Sequence, residues 1–291
     1  MIKLENEKLR VEIAELGAQL HSIKRQGDNL EYLWQGDPTS WGRQAPILFP
    51  FVGRLKNDQY EFNGVVYHQT QHGFARDKEF NVAKQDELSV TLELKDSKET
   101  REVFPFAFDL QVHYELVNDT LKIEYTVTNP GDRSLIYAIG AHPGFNMPLK
   151  AGSTFNQVEL STAPAERYGR IILAGPYSDL VYPTSIDMSN PLKLDHNLFR
   201  NDAVIFKTSE ANVDFTLTDT SCGHGVHVQT ERTEYVGVWS PYPTEADFVC
   251  IEPWWGIADT LESDGKLLHK RGMHRLSSHD TDYYQFSIKP F

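Results

Sequence analysis

Four short segments carry residues that a plain β-sheet does not need. The first is Pro46-Ile47-Leu48-Phe49-Pro50-Phe51-Val52-Gly53-Arg54-Leu55, whose two prolines give no ladder N–H and whose end delivers Arg54 after a glycine. The second is Gln71-His72-Gly73-Phe74-Ala75-Arg76, and the third is Gly140-Ala141-His142-Pro143-Gly144-Phe145-Asn146. The fourth runs Cys250-Ile251-Glu252-Pro253-Trp254-Trp255-Gly256-Ile257-Ala258-Asp259. Singly, each is ordinary: a lone histidine is usually a satisfied surface or core residue, His-Pro-Gly is a good turn, and Trp254-Trp255 suits a core. Jointly they say more. Apolar strands lead into His142 and Glu252, and proline follows each at once, so both side chains are expected at a sheet rim, where sites collect. An imidazole beside a carboxyl group is the equipment of general acid–base catalysis. Two histidines and a glutamate also resemble a facial-triad iron site, but the His-x-His spacing that usually builds one on a β-barrel is absent. His224-Gly225-Val226-His227 has the wrong spacing to share a strand face.

The elements that must position these residues read as strands. Leu88, Val90, Leu92 and Leu94 alternate with polar residues, as do Leu121, Ile123, Tyr125 and Val127, and Tyr284, Phe286 and Ile288. This period of two marks strands with one buried face. Asn63-Gly64 between Tyr60-Glu61-Phe62 and Val65-Val66-Tyr67 predicts a tight hairpin, Asn118-Asp119 a second, and Asn129-Pro130-Gly131-Asp132 a further turn. Helical periodicity is confined to one short turn over residues 97–103. No repeat, low-complexity stretch or Pro/Gly/Ser-rich linker interrupts the chain, which reads as a single domain over residues 1–291, all-β, built as a large antiparallel β-sandwich.

Composition narrows the partners. A net charge of −13 argues against nucleic acid and against an anionic membrane, which need a basic footprint. The 16 Phe, 13 Tyr and 5 Trp suit both a sheet core and flat apolar faces for a sugar ring. Cys222 and Cys250 are too few for a disulfide framework and read as buried cytosolic thiols. The charged start Met-Ile-Lys-Leu-Glu-Asn-Glu is no signal peptide and no window is apolar enough to span a bilayer, so a cytoplasmic location is expected.

Together, Gly53-Arg54-Leu55, His72-Gly73-Phe74, His142-Pro143-Gly144-Phe145-Asn146 and Glu252-Pro253-Trp254-Trp255-Gly256 resemble the aldose 1-epimerases, nearest the branch named after LacX. The opening Leu16-Gly17-Ala18-Gln19-Leu20 is similar too, and the likeness runs over essentially the whole chain. It implies a supersandwich of the galactose mutarotase type with no metal and no cofactor, and a free aldose as the small-molecule substrate. It further implies Glu252 as the base that takes the C1-hydroxyl proton and His142 as the acid that protonates the ring oxygen. His72 would hydrogen-bond the ring oxygen or a neighbouring hydroxyl, and Arg54 would orient hydroxyls. Trp254 or Trp255, and Phe74, would stack on the ring. The family's sugar-binding aspartate, which precedes a short apolar strand, is matched to Asp202 ahead of Ala203-Val204-Ile205-Phe206, with Asp195 as a competing match. The chain departs from the best-known mutarotases in carrying His-Pro-Gly where they have His-Pro-Tyr.

Two alternatives stand beside this expectation. Residues 72–76 also resemble hexose-6-phosphate mutarotases, in which case Arg76, with Arg43, would grip a phosphate, unless Arg76 merely pairs with Asp77. A non-catalytic carbohydrate-binding protein would keep the sheet, the aromatics and the arginines without needing Glu252 beside His142. Which sugar is used, and the oligomeric state, stay open at this level.

Overall fold

The computed structural model describes residues 1–28 and 30–291. Two large antiparallel sheets dominate it. The nine-stranded sheet has the spatial order Leu192–Lys193, Val158–Ala163, Val213–Asp219, His224–Thr230, Thr281–Pro290, Thr120–Thr128, Asp109–Val117, Ser89–Lys95, Asn81–Gln85. The eight-stranded sheet runs Tyr177–Asp187, Arg167–Ala174, Val204–Lys207, Tyr235–Trp239, Phe248–Trp255, Ile139–Ala141, Ile47–Leu48, with Gly144–Asn146 also paired to Phe248–Trp255. A three-stranded sheet of Ile2–Glu5, Leu9–Ile13 and Leu20–Arg25, the hairpin Gln59–Phe62 with Val65–His68, and the two-stranded pairing of Leu135–Tyr137 with His274–Leu276 complete the β-structure among the described residues.

The period-two runs bury the faces expected of them. Leu121, Ile123, Tyr125 and Val127 are all sealed, and Tyr284, Phe286 and Ile288 pair with them across the ladder. Val90, Leu92 and Leu94 are likewise buried, whereas Leu88 falls in the turn before its strand and is exposed. Asn63 and Gly64 adopt φ of +53° and +79°, the pair of positive values that a two-residue hairpin needs. Among the described residues the one α-helix is Lys98–Val103, capped by Ser97, whose hydroxyl accepts from the Thr100 N–H at 3.2 Å.

The sheets meet through large side chains. Phe206 packs on Phe215 at 5.2 Å between ring centres, and Trp255 reaches Tyr284 at 5.2 Å and Tyr125 at 6.4 Å. The eight-stranded sheet therefore spends one face on this core. Val204, Phe206, Val236, Val238, Val249, Ile251 and Trp255 all belong to it. Because side chains alternate, Ala203, Ile205, Tyr235 and Trp254 must point the other way, and they form a second apolar cluster there. That second face is the floor of the cavity described next.

Candidate active site

A cavity of about 460 Å³ opens on the outer face of the eight-stranded sheet. Its floor is Ile205, Trp239, Glu252 and Trp254, and its walls come from loops carrying Trp41, Arg54, His72, Arg76, His142, Arg200, Asp202 and Tyr242. Five of the six other sequence-predicted residues thus converge with Glu252 and His142: Arg54, His72, Arg76, Asp202 and Trp254 join that pair on one lining, and Phe74 does not. Phe74 turns into the core, where its ring meets Phe49, Phe104 and Phe108 at 6.0–6.2 Å. Trp255 also leaves the site, since it lies one residue from Trp254 on the opposite sheet face and donates its Nε1–H to Arg232 O at 3.0 Å.

Glu252 corrects one expectation. It lies inside the strand Phe248–Trp255, not at a rim, and Pro253 continues the ladder opposite Val236. The reason is in the neighbouring chain. Ile139–Ala141 and Gly144–Asn146 flank a gap at His142-Pro143, and across it the Ile251 N–H reaches Pro143 O at 3.2 Å. Period two puts the nitrogen of residue 253 on that same side, where the interrupted partner asks for no hydrogen bond. Pro143 thus breaks the facing strand at the level where Pro253 lacks an N–H, and His142 is left opposite Glu252.

His142 Nε2 lies 3.1 Å from Glu252 Oε2. The two are not aligned as a hydrogen bond: Glu252 Oε2 and His142 Nδ1 have no hydrogen-bond partner among the described residues. Burial raises the Glu252 carboxyl well above its ordinary range, the nearby Asp202 carboxylate adds to this, and the Trp254 indole opposes it. Burial pushes the His142 imidazole down to about 3; the cations Arg76 and Arg43 add to the push, and only the residue's own backbone resists it. Burial thus disfavours the charged form of both groups. Asp202 stands at the cavity mouth with its carboxyl raised by desolvation, and its Oδ1 accepts from the Ala203 N–H at 2.8 Å. Asp195 is elsewhere, exposed and capping the turn His196–Phe199 by accepting from the Asn197 N–H at 2.7 Å.

His72 and Arg54 are locked to each other through the backbone. The His72 N–H donates to Gly53 O at 2.9 Å and the Gly53 N–H donates back to His72 Nδ1 at 3.1 Å. A ring nitrogen that accepts a hydrogen bond carries no proton, so His72 is the neutral tautomer with Nε2–H free to donate. Its burial, together with His142 and the surrounding arginines, holds its pKa well below the ordinary value. The clasp requires positive φ at Gly53 (+73°), His72 (+70°) and Gly73 (+71°). A Cβ on Gly53 would meet that of Ala258 at 2.4 Å, and one on Gly73 would meet Phe49 O at 2.3 Å.

The arginines divide. Arg43 donates to Asp77 Oδ1 at 2.8 Å and is not part of the lining. Arg76 donates to Gln71 O at 2.6 Å, lies 3.9 Å from Asp77, and leaves its buried Nε without a hydrogen bond. Arg54 Nε is similarly unpartnered, 3.5 Å from Asp58 Oδ1. Sequence reasoning missed Trp41, Arg200, Trp239 and Tyr242. Trp239 was within reach, since Ser240-Pro241-Tyr242-Pro243 ends its strand as Pro143 ends the strand before His142.

As for metals, the donor atoms of His142, Cys250 and Glu252 lie within 4.8 Å of one another. A divalent ion there would need the thiol and the carboxyl ionised, and burial opposes both.

The family comparison fits this geometry. The Aldose 1-epimerase family model matches residues 1–270. This chain belongs to the aldose 1-epimerase family. Plasmid and chromosomal LacX of Lactococcus lactis subsp. lactis are 33% identical to it over 300 aligned positions, covering 99% of this chain and 98% of theirs. A galactose mutarotase related enzyme from Lactobacillus acidophilus shares 38% identity with a TM-score of 0.97, over 100% of this chain and 97% of that one. A galactose mutarotase-like protein from Lactobacillus casei shares 34% identity with a TM-score of 0.91 and covers both chains fully. The fold is thus the galactose mutarotase-like supersandwich, and the epimerase family's sugar chemistry is the frame for the cavity. Among the described residues no helix is long and apolar enough to cross a membrane.

Proposed function

We propose that this protein is an aldose 1-epimerase that interconverts the α and β anomers of a free aldose, with Glu252 and His142 as its proton-transfer pair. The observation that carries this reading is the pair itself, 3.1 Å apart on the floor and wall of one cavity, beside Asp202 and Trp254.

Mutarotation asks for one base and one acid. In the carboxylate–imidazolium form of the pair, Glu252 takes the proton from the C1 hydroxyl as the C1–O5 bond breaks, and His142 gives its proton to O5. The sugar is then an open aldehyde and the pair has become carboxyl and neutral imidazole. That is the form that burial of the two groups favours. After the carbonyl turns about C1–C2, the carboxyl returns its proton to the carbonyl oxygen and His142 recovers one from the O5 hydroxyl, closing the ring on the other face. The pair holds one proton throughout, so turnover needs no proton from solvent and no cofactor. His72 Nε2–H donates to a ring or hydroxyl oxygen, Asp202 accepts from a hydroxyl, Arg54 orients others, and Trp254 offers an apolar face.

A hexose 6-phosphate is the second reading, favoured by the unpartnered Nε atoms of Arg54 and Arg76 on the same cavity wall. Anomer exchange by NMR at neutral pH, across galactose, glucose, xylose and hexose 6-phosphates, tests both. Faster exchange that disappears in E252Q supports the enzyme and identifies its substrate class. Sugar binding without acceleration would leave a carbohydrate-binding protein.

A further inference from the structure

Catalytic histidines are commonly held by a hydrogen bond to the ring nitrogen that does no chemistry. Among the described residues His142 has no such bond, because none of them partners its buried Nδ1. What touches the ring is aromatic. The Trp41 indole stacks on its face at 4.8 Å and 26°, while His72 and Trp239 stand edge-on at 5.5 and 5.8 Å.

Trp41 is itself fastened to the segment that carries His142. Its N–H donates to Asp37 O at 2.8 Å and its carbonyl accepts from Trp34 Nε1–H at 2.9 Å. The loop is then stitched to Gly144 from both sides: Gly144 N–H donates to Gln44 O at 2.8 Å, and Trp34 N–H donates to Gly144 O at 2.9 Å. A Cβ at position 144 would lie 3.0 Å from Trp41 Cζ3 and 3.3 Å from both Trp34 Cβ and Cys250 Sγ. The glycine after His142-Pro143 is therefore what lets the indole lie over the imidazole, and an aromatic side chain at 144 would occupy its place.

We propose that Trp41 is a positioning residue for His142, its indole setting the plane of the imidazole so that Nε2 faces Glu252 while water is kept from the ring. This rests on the reading of His142 and Glu252 as the proton-transfer pair. The charged or titratable groups that face the ring are Glu252, Cys250 and His72 at close range, Arg76 and Arg43 through their charge, and Asp202 by way of Glu252. None of them changes when Trp41 is replaced, so a shift in His142 titration reports the loss of the aromatic cover.

The test uses the full chain without sugar. Long-range ¹H–¹⁵N NMR follows His142 titration in the wild type, W41L and W41F, and anomer exchange is measured on the same samples. In W41L the imidazole should titrate about one unit or more closer to its ordinary value. In the same variant kcat should fall roughly tenfold while KM changes little, the split expected of a lost proton-transfer geometry. W41F should recover most of both. Should W41L fold poorly by thermal melt, G144A takes its place, because the added methyl pushes the same ring. Unchanged His142 titration, or a rise in KM alone, overturns the proposal and leaves Trp41 as a wall for the sugar. A shifted imidazole in a protein whose wild type turns over no sugar upholds the positioning role and overturns the mutarotase reading instead.

Discussion

A carboxyl group as deeply buried as Glu252 is held where its charged form is disfavoured, and that has a consequence for stability as well as for proton transfer. Its pKa in the fold is raised, so its contribution to stability is complete below the unfolded value, about 4.5, and is lost as pH rises through the folded value. Gln has no charge to suppress. E252Q should lose most turnover, by about 10²–10⁴-fold, yet melt a few degrees above the wild type at pH 8 and close to it at pH 4. Calorimetry at the two pH values checks the sign; a variant that melts lower at pH 8 would mean that the buried carboxyl is ionised and compensated. Asp202 acts on the same group. Its carboxylate raises the pKa of Glu252, so D202N should raise KM and move the alkaline limb of the rate profile to lower pH, because the pair then surrenders its single proton sooner. The acid limb belongs to the second proton, which His142 accepts only near pH 3. Both limbs report the coupled pair and neither residue alone. D195A should leave both limbs unmoved and cost about 1 kcal/mol of stability through its lost turn cap. The choice between the two aspartates was not readable from residue order, since each precedes a plausible short strand or turn; only the cavity separates them.

The site is made where elements are interrupted, and this decides what the chain discloses locally. The break at His142 was legible, because proline after an apolar strand ends a ladder whatever lies beside it. The setting of Glu252 was not. Pro253 is tolerated inside a sheet only because the facing strand is broken at the same level, a fact that no window around residue 253 contains. Trp254 and Trp255 followed from period two once Glu252 was placed, whereas Phe74 misled because a phenylalanine beside a site glycine looks the same whether its ring turns in or out. Trp41 gave no local signal, since it sits in an irregular loop that acquires meaning only against Gly144. The clasp of residues 53 and 72 makes an element-scale prediction. G73A places a methyl against Phe49 O at a conformation L-residues rarely adopt, so it should displace His72 and Arg54 together. Activity should fall by at least about tenfold, with KM rising more than kcat falls because two sugar-binding groups move and the proton-transfer pair does not. An unchanged KM would show that the loop can relax without moving either side chain.

At the scale of the whole molecule, the net charge of −13 surrounds a cavity that holds Arg54, Arg76 and Arg200 on its wall. These two features act over different distances. The overall field reaches into solvent and is screened within about 10 Å at 0.1 M salt, while charges inside a cleft are screened much less. A neutral aldose feels neither on approach, so its kcat/KM should be flat as ionic strength is raised from about 0.01 to 0.5 M. A hexose 6-phosphate would be repelled on approach and gripped on arrival. Its kcat/KM should therefore rise with the first additions of salt, as the repulsion is screened, and fall only when the arginine contacts themselves weaken. A flat response for galactose or glucose together with poor turnover of the phosphorylated sugars supports the free-aldose assignment. A rise and fall with a sugar phosphate that is also the better substrate transfers the assignment to the phosphorylated class, and it would explain why an acidic protein keeps two buried guanidinium nitrogens with no hydrogen-bond acceptor among the described residues.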